Sequence, residues 1–143
     1  MSAFTGACGA NTVYSYNLSR RLLTISGTGP MTDLPDNPQG DWREILDGVE
    51  EVLVAPGVTT VGSSVFFAAP NLRSVTLPET LRTIGVYAFS QCPVLEELAI
   101  PEGVAAIRSK AFRLSGLRKL HLPRSLEYLD MKALEGVETL EEV

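Results

Sequence analysis

Four stretches of this chain repeat almost the same phrase of fifteen residues at a nearly constant spacing. The clearest copy, VTLPETLRTIGVYAF, covers residues 75–89, and the others begin at residues 52, 98 and 120, so the period is 23, 23 and 22 residues. Six columns of this alignment are apolar in every copy: Val52, Val75, Leu98 and Leu120; Val54, Leu77, Ile100 and Leu122; Val58, Leu81, Val104 and Leu126; Val61, Ile84, Ile107 and Leu129; Phe66, Phe89, Phe112 and Leu134; and, three residues before each copy, Val49, Leu72, Leu95 and Leu117. One unit cannot bury such a face alone, so the repeat predicts coils that stack column on column.

Each copy opens with a short alternating run such as VTL or LAI, and this period of two predicts a β-strand. Pro78, Pro101 and Pro123 follow three of these runs and end them, because proline cannot donate to a strand ladder. The AF segment further on predicts a short helical or turn segment that returns the chain. A period of about 20–29 residues with a strand at its start is typical of leucine-rich repeats.

We therefore predict a leucine-rich repeat solenoid, a right-handed β/α superhelix that is mostly β with short helical turns. It would hold about four repeats of 22–23 residues over residues 49–143, with a fifth repeat that opens at Leu140 and is cut short. Because that end has no obvious cap, three readings stay open: the natural chain continues, the end pairs with another molecule, or the last residues cap it poorly.

The second copy, extended to VTLPETLRTIGVYAFSQC, resembles the unit of the BspA-like leucine-rich repeat family, including Gly85, Ala88, Phe89 and Cys92. The resemblance covers residues 49–143, and LTISGTGPM at 23–31 is similar to the segment that often precedes such repeats. It implies a bacterial, non-enzymatic protein-interaction or adhesion module, placed at the cell surface or secreted, whose partners are proteins, host or matrix proteins among them.

Residues 1–48 are predicted to form an N-terminal cap on the first coil. TVYSYN and LLTISG indicate a β-hairpin, and the segment rich in Gly, Pro, Asp and Asn that follows indicates a loop. DWREIL predicts a short helix in which Asp41 is the N-cap and Glu44 completes a capping box. Its apolar face would consist of Trp42, Ile45 and Leu46.

Composition argues against several classes of partner. The net charge is −5, and no Lys/Arg-rich face is present, which argues against nucleic acid and against an anionic membrane surface. No apolar run approaches the ~20 residues of a membrane helix, and the first 30 residues lack the apolar segment of a secretory signal. The compartment is therefore left open. The two cysteines, Cys8 and Cys92, do not suggest a disulfide framework, and Cys92 is expected to be a free buried thiol.

No catalytic, cofactor or metal motif stands out. The single histidine, His121, lies between two core positions and is expected to point outward, without the nucleophile and carboxylate that a catalytic triad needs. SGTGP at residues 26–30 lacks the Lys-Ser/Thr that follows in a phosphate-binding loop. Oxygen ligands for calcium could come from the loop, but their spacing is not that of an EF-hand, and turn formation explains them as well. Those residues are Asp33, Asp36, Asn37 and Asp41.

The strand face is the candidate interaction site. Its two outward columns are Glu51, Ser74, Glu97 and Lys119, and Leu53, Thr76, Ala99 and His121. A neighbouring column alternates in charge: Glu50, Arg73, Glu96, Arg118 and Glu141. These columns predict either ladders that set the register of the coils or a recognition surface of the kind that solenoids use. The alternative to an interaction module is a structural or self-assembly unit whose open C-terminal end docks on further repeats or on a second copy.

Overall fold

The computed structural model describes residues 3–35 and 38–143. The chain begins with β1 (Ala3–Ala7), β2 (Thr12–Asn17), β3 (Leu22–Gly27) and β4 (Gly29–Pro30), followed by the helix α1 (Gly40–Gly48). Eight strands of two to four residues follow: β5 (Glu51–Val54), β6 (Val58–Val61), β7 (Ser74–Thr76), β8 (Thr83–Ile84), β9 (Glu97–Ala99), β10 (Ala106–Ile107), β11 (Lys119–His121) and β12 (Tyr128–Leu129).

The strands form two rows. In the front row β1, β2 and β3 form an antiparallel meander, β3 then pairs parallel with β5 and β5 with β7, and β9 pairs parallel with β11. The back row is a parallel sheet in the order β12-β10-β8-β6-β4. The sequence predicted the front strands of the repeats and missed the back row, whose strands are too short to show a clear alternation.

The apolar columns of the repeat meet between the two rows, as predicted, except that Leu129 in the fourth copy is 40% exposed. Val49, Leu72, Leu95 and Leu117 are fully buried, and so are Phe66, Phe89 and Phe112. The three phenylalanine rings stack, with centroids 5.3 Å and 5.9 Å apart. The sulfur of Cys92, which is also buried, lies 3.3 Å from the carbonyl oxygen of Phe66. The prediction of a free buried thiol at Cys92 is confirmed, and Cys8 is free as well.

Turns, and not helical segments, connect the back row to the next front strand. They contain left-handed backbone at non-glycine residues that recur every 23 positions: Ser64, Tyr87 and Lys110, and Ala68, Gln91 and Leu114. Apart from Lys110, their amides donate to carbonyls of the following coil, as in the bonds from Ala68 N to Ser90 O and from Gln91 N to Arg113 O, both 2.8 Å. Each turn therefore depends on its neighbour for its conformation.

Hydroxyl side chains link two pairs of coils where the chain leaves the front strands. Thr80 Oγ1 accepts a hydrogen bond from Gly57 N (3.0 Å) and donates one to Val58 O (2.8 Å). Ser125 Oγ accepts from Gly103 N (2.8 Å) and donates to Val104 O (2.9 Å). We call each of these arrangements a hydroxyl clamp.

The N-terminal segment contains the predicted hairpin, formed by β2 and β3, and the additional strand β1. The helix was predicted in the correct place, but the predicted capping box is wrong. Gln39 is the N-cap and makes no side-chain capping bond, and Asp41 lies inside the first turn, where a negative charge still suits the positive end of the helix dipole. No helix within the two described ranges is long and apolar enough to cross a membrane.

Contacts with the first turn of the repeat fix the position of α1. Trp42 Nε1 donates to Val65 O (2.6 Å), and Arg43 donates to Phe67 O (3.1 Å) and Ala68 O (2.6 Å). Ile45 and Leu46 are buried on the same side of the helix, and the Trp42 ring lies 6.5 Å from that of Phe66, between centroids.

Candidate functional site

The eight residues predicted to line the strand face are all exposed in the structure. Parallel register aligns them side by side within each pair of strands: in the first pair Glu51 lies beside Ser74 and Leu53 beside Thr76. In the second pair of strands Glu97 lies beside Lys119, and Ala99 beside His121. Inward neighbours such as Val52 and Leu98 are buried, so the alternation along each strand separates core from surface.

The two columns differ in chemistry. The first carries Glu51, Ser74, Glu97 and Lys119, and the second is small or apolar until His121. Leu53 is 41% exposed, which is high for a leucine within a strand. In the described part of the chain His121 forms no side-chain hydrogen bond or ion pair, so no neighbouring residue orients it for catalysis.

The alternating charges next to these columns pair at two places. Glu50 binds Arg73 at 3.1 Å and also Arg21 at 3.5 Å, and Arg118 binds Glu141 at 2.6 Å. The hydrogen bond that Arg118 donates to the carboxylate of Glu141 raises the pKa of Arg118 above its usual value. Glu96 forms no ion pair with Arg73 or with Arg118 among the described residues, and the front row is interrupted between β7 and β9.

The charged residues at the C-terminal part of the front face border a shallow, open depression of about 390 Å³. Glu96, Glu97, Arg118, Lys119 and Glu141 line it. Carboxylates and cations alternate around it, so it can make several hydrogen bonds to a polar partner while carrying little net charge. Such a surface suits a protein partner better than a polyanion.

A second concavity was not predicted from the sequence. It is a cleft of about 370 Å³ in the N-terminal segment, between the meander and α1. Tyr14 and Trp42 meet edge to face on its wall, with ring centroids 5.1 Å apart, and Cys8, Met31 and Leu34 complete much of its lining. Its position depends on β1, for which the sequence has no clear strand pattern.

The loop considered for calcium does not form a metal site in the described residues, where no group of three or more His, Cys, Asp or Glu side chains could hold a metal ion. Asp33 instead accepts a hydrogen bond from Ser63 N at 2.8 Å and ties the loop to the repeats. Asp41 belongs to α1. Asp36 and Asn37, the other two proposed ligands, lie outside the described residues.

Sequence comparison agrees with the stacked coils. The family model described as "BspA type Leucine rich repeat region (6 copies)" matches residues 47–143, about two thirds of the chain. This chain belongs to the BspA-type leucine-rich repeat family. A search of the curated proteins found no match.

Solved structures of other leucine-rich repeat proteins share the fold of this family member. A protein from Eubacterium ventriosum aligns over 98% of this chain with a TM-score of 0.77 and 22% identity, and one from Bacteroides ovatus over 93% with 0.66 and 18%. A leucine-rich repeat protein of T. pallidum aligns over 89% with 0.64 and 22%. This chain spans 43%, 39% and 65% of the lengths of those three chains, less than two thirds of each.

Proposed function

We propose that this chain is a non-enzymatic protein-interaction or adhesion module that binds its partner with the exposed front strands. The proposal rests above all on the register of those strands, which aligns the eight exposed side chains in four side-by-side pairs. Within each pair of strands the packed core behind the surface holds such side chains in fixed relative positions, and this lowers the entropy cost of binding. Membership of the BspA-type family supports a protein as the partner.

The finer features of the proposal follow the same reasoning. The partner would be a host or matrix protein, and the module would act at the cell surface or after secretion. Residues 1–48 would cap a right-handed solenoid of about four repeats that begins at residue 49. Support for the cap comes from the parallel pairing of β3 with β5, which continues the front row into the N-terminal segment.

A paired capture experiment tests the strand face. The bait is the chain itself, presented to extracts of extracellular matrix and of host-cell surfaces, beside a variant with Glu51, Glu97, Lys119 and His121 changed to serine. A control variant carries four serine substitutions at exposed charged residues outside the long strands: Glu79, Arg124, Glu127 and Lys132. Circular dichroism verifies that all three proteins are folded.

We expect the parent chain and the control variant to capture the same protein and the strand-face variant to fail to capture it. Equal capture by the two variants would reject the strand face as the binding surface.

A second candidate function is a structural or self-assembly unit, and one observation favours it. The C-terminal coil leaves large apolar side chains exposed, with Met131 at 94% and Leu129 at 40%. The residues equivalent to Leu129 in the other coils, Val61, Ile84 and Ile107, are fully buried. In this role the end would dock on further repeats or on a second copy of the chain. Light scattering distinguishes the two: an oligomer that Leu129→Glu and Met131→Glu dissociate supports assembly, and a monomer at high concentration argues against a second copy.

A further inference from the structure

The front row is built from one repeated main-chain arrangement that fails at a single junction. At the other four junctions one carbonyl oxygen accepts the N–H groups of two consecutive residues of the next coil, an arrangement that we call a fork. The four forks are Arg21 O with the amides of Glu50 and Glu51, Glu50 O with Arg73 and Ser74, Glu96 O with Arg118 and Lys119, and Arg118 O with Glu141 and Glu142, all at 2.7–3.3 Å. The equivalent fork from Glu96 and Glu97 to Arg73 O does not form within the described residues.

On the front of the same junction, the side-chain links that join neighbouring coils are missing among the described residues. Hydroxyl clamps join the coils of β5 and β7 through Thr80, and those of β9 and β11 through Ser125. The corresponding position between β7 and β9 is Gly103, which has no side chain and therefore no hydroxyl. Its φ of 108° is a backbone conformation that residues with side chains rarely adopt. The ion pair between Glu50 and Arg73 at the preceding junction also has no counterpart between Arg73 and Glu96 among the described residues.

The back of this junction is intact. β8 and β10 pair in the parallel sheet, and the amides of Ala105 and Ala106 both bind Arg82 O. In the turns, Phe89 N donates to Ala111 O at 2.7 Å and Gln91 N to Arg113 O at 2.8 Å. The break is therefore confined to the front.

Core burial changes at the same place. Val75, which points inward from β7, is only partly buried, whereas Val52, Leu98 and Leu120 in the same column are at most 2% exposed. The weakened junction between β7 and β9 thus coincides with a core side chain that is only partly buried. It lies in the middle of the front face, between Thr76 and Ala99.

We infer that the β7–β9 junction is a hinge at which the front face opens and closes while the back row and the turns stay joined. Parallel coils that are held together on one side only rotate about that side, because the hydrogen bonds there keep their length as the other side separates. The motion changes the spacing between the Ser74–Thr76 and Glu97–Ala99 strands, and thus the curvature of the front face. This inference concerns the chain alone and does not depend on whether that face binds a partner.

Amide hydrogen exchange resolved by residue tests the hinge. Protection factors, which correct for the intrinsic exchange rate, are compared between the amides of Glu96 and Glu97 and those of Arg118 and Lys119, the equivalent pair one coil later. We expect the protection factors of Glu96 and Glu97 to be lower than those of Arg118 and Lys119 by about tenfold or more. The amides of Phe89 and Gln91, on the back of the same junction, should remain as protected as those of Phe112 and Leu114. Equal protection at the two front pairs would overturn the hinge, as would equal loss at the front and the back.

Spin labels distinguish motion from a fixed gap. A front pair at Thr24 and His121 and a back pair at Pro30 and Tyr128 each span four junctions, about 19 Å at ~4.8 Å for each strand, in a background in which Cys8 is changed to Ala. We expect the front pair to give a distinctly broader distance distribution than the back pair. Two equally narrow distributions would mean a rigid gap and would reject the hinge.

Discussion

Thr80 and Gly57 lie on neighbouring coils and are joined through the Thr80 hydroxyl, which accepts the Gly57 N–H and at the same time donates to the next carbonyl, that of Val58. One small side chain therefore satisfies two main-chain groups of another coil. A buried donor or acceptor that loses its partner is costly, which makes this hydroxyl a measurable contributor to stability.

Thr80→Val keeps the shape of the side chain and removes the hydroxyl. We expect a loss of about 1–3 kcal/mol in the free energy of unfolding, because the Gly57 N–H and the Val58 carbonyl lose their partner together. Urea unfolding followed by circular dichroism gives the value. Thr80→Ser is the matched control and should stay close to the parent chain. If the valine and serine variants were equally stable, the clamp would not contribute.

Phe89→Ala should cost about 3–5 kcal/mol, because it removes the middle ring of a buried stack and leaves a cavity between Phe66 and Phe112. The melting temperature and urea unfolding report the loss. Phe67→Ala is the comparison, since Phe67 is only partly buried and meets Tyr87 edge to face. A melting temperature for Phe89→Ala equal to that of the parent would contradict the packed stack.

Acid should weaken the link between the β9 and β11 coils through Glu102. Its carboxylate accepts hydrogen bonds from Arg124 N (3.0 Å) and Ser125 N (3.3 Å). The Arg124 bond is the main reason that the pKa of Glu102 lies below its usual 4.5. Since the folded state holds the proton less tightly than the unfolded state, the contribution is present above pH 4.5 and is lost as the pH falls through the folded pKa.

The corresponding measurement is the free energy of unfolding of the parent and of Glu102→Gln between pH 3 and pH 7. We expect the parent to be the more stable at pH 7 and the difference to shrink below pH 4.5. A difference that is independent of pH would show that the charge of Glu102 is not involved.

Cys92 should be inert toward thiol reagents in the folded protein. Burial raises the pKa of its thiol to about 12, so almost no thiolate exists at neutral pH. With Ellman's reagent at pH 8 we expect at most one thiol, that of Cys8, to react in the native chain and both to react in urea. Cys8→Ala isolates the behaviour of Cys92. Rapid reaction of that variant without denaturant would show that the core opens far more readily than its packing suggests.

The stacked coils could be predicted from the sequence because the same hydrophobic pattern recurs in four copies. The phenylalanine column and the leucine column before each strand recur at a fixed period, and each copy strengthens the assignment of the others. The outward columns of the front face follow from the same alternation, so their positions could be predicted although their role could not.

Features that depend on contacts between distant residues could not be predicted. DWRE matches a capping box, yet α1 begins at Gly40, and the hydrogen bonds from Trp42 and Arg43 to the first turn of the repeat fix its position. The charge column likewise continues through Arg73 and Glu96 without a change of pattern, although the front row is interrupted between them. Hydrophobic periodicity describes which side chains face the core and carries no information about where a ladder of main-chain bonds stops.

The left-handed turn residues bear on how such an array grows. The left-handed backbone conformation costs each non-glycine residue roughly 1 kcal/mol or more. A carbonyl of the following coil stabilises it by accepting the amide of the turn residue, as Ser90 O does for Ala68 N. A gene duplication that inserts a whole unit copies two groups together. One is the amide of the unit's own turn, and the other is the carbonyl that accepts the amide of the turn in the preceding coil. A duplicated unit is thus compatible with both neighbours from the moment it arises, and its turn sequences are then free to diverge without becoming glycine.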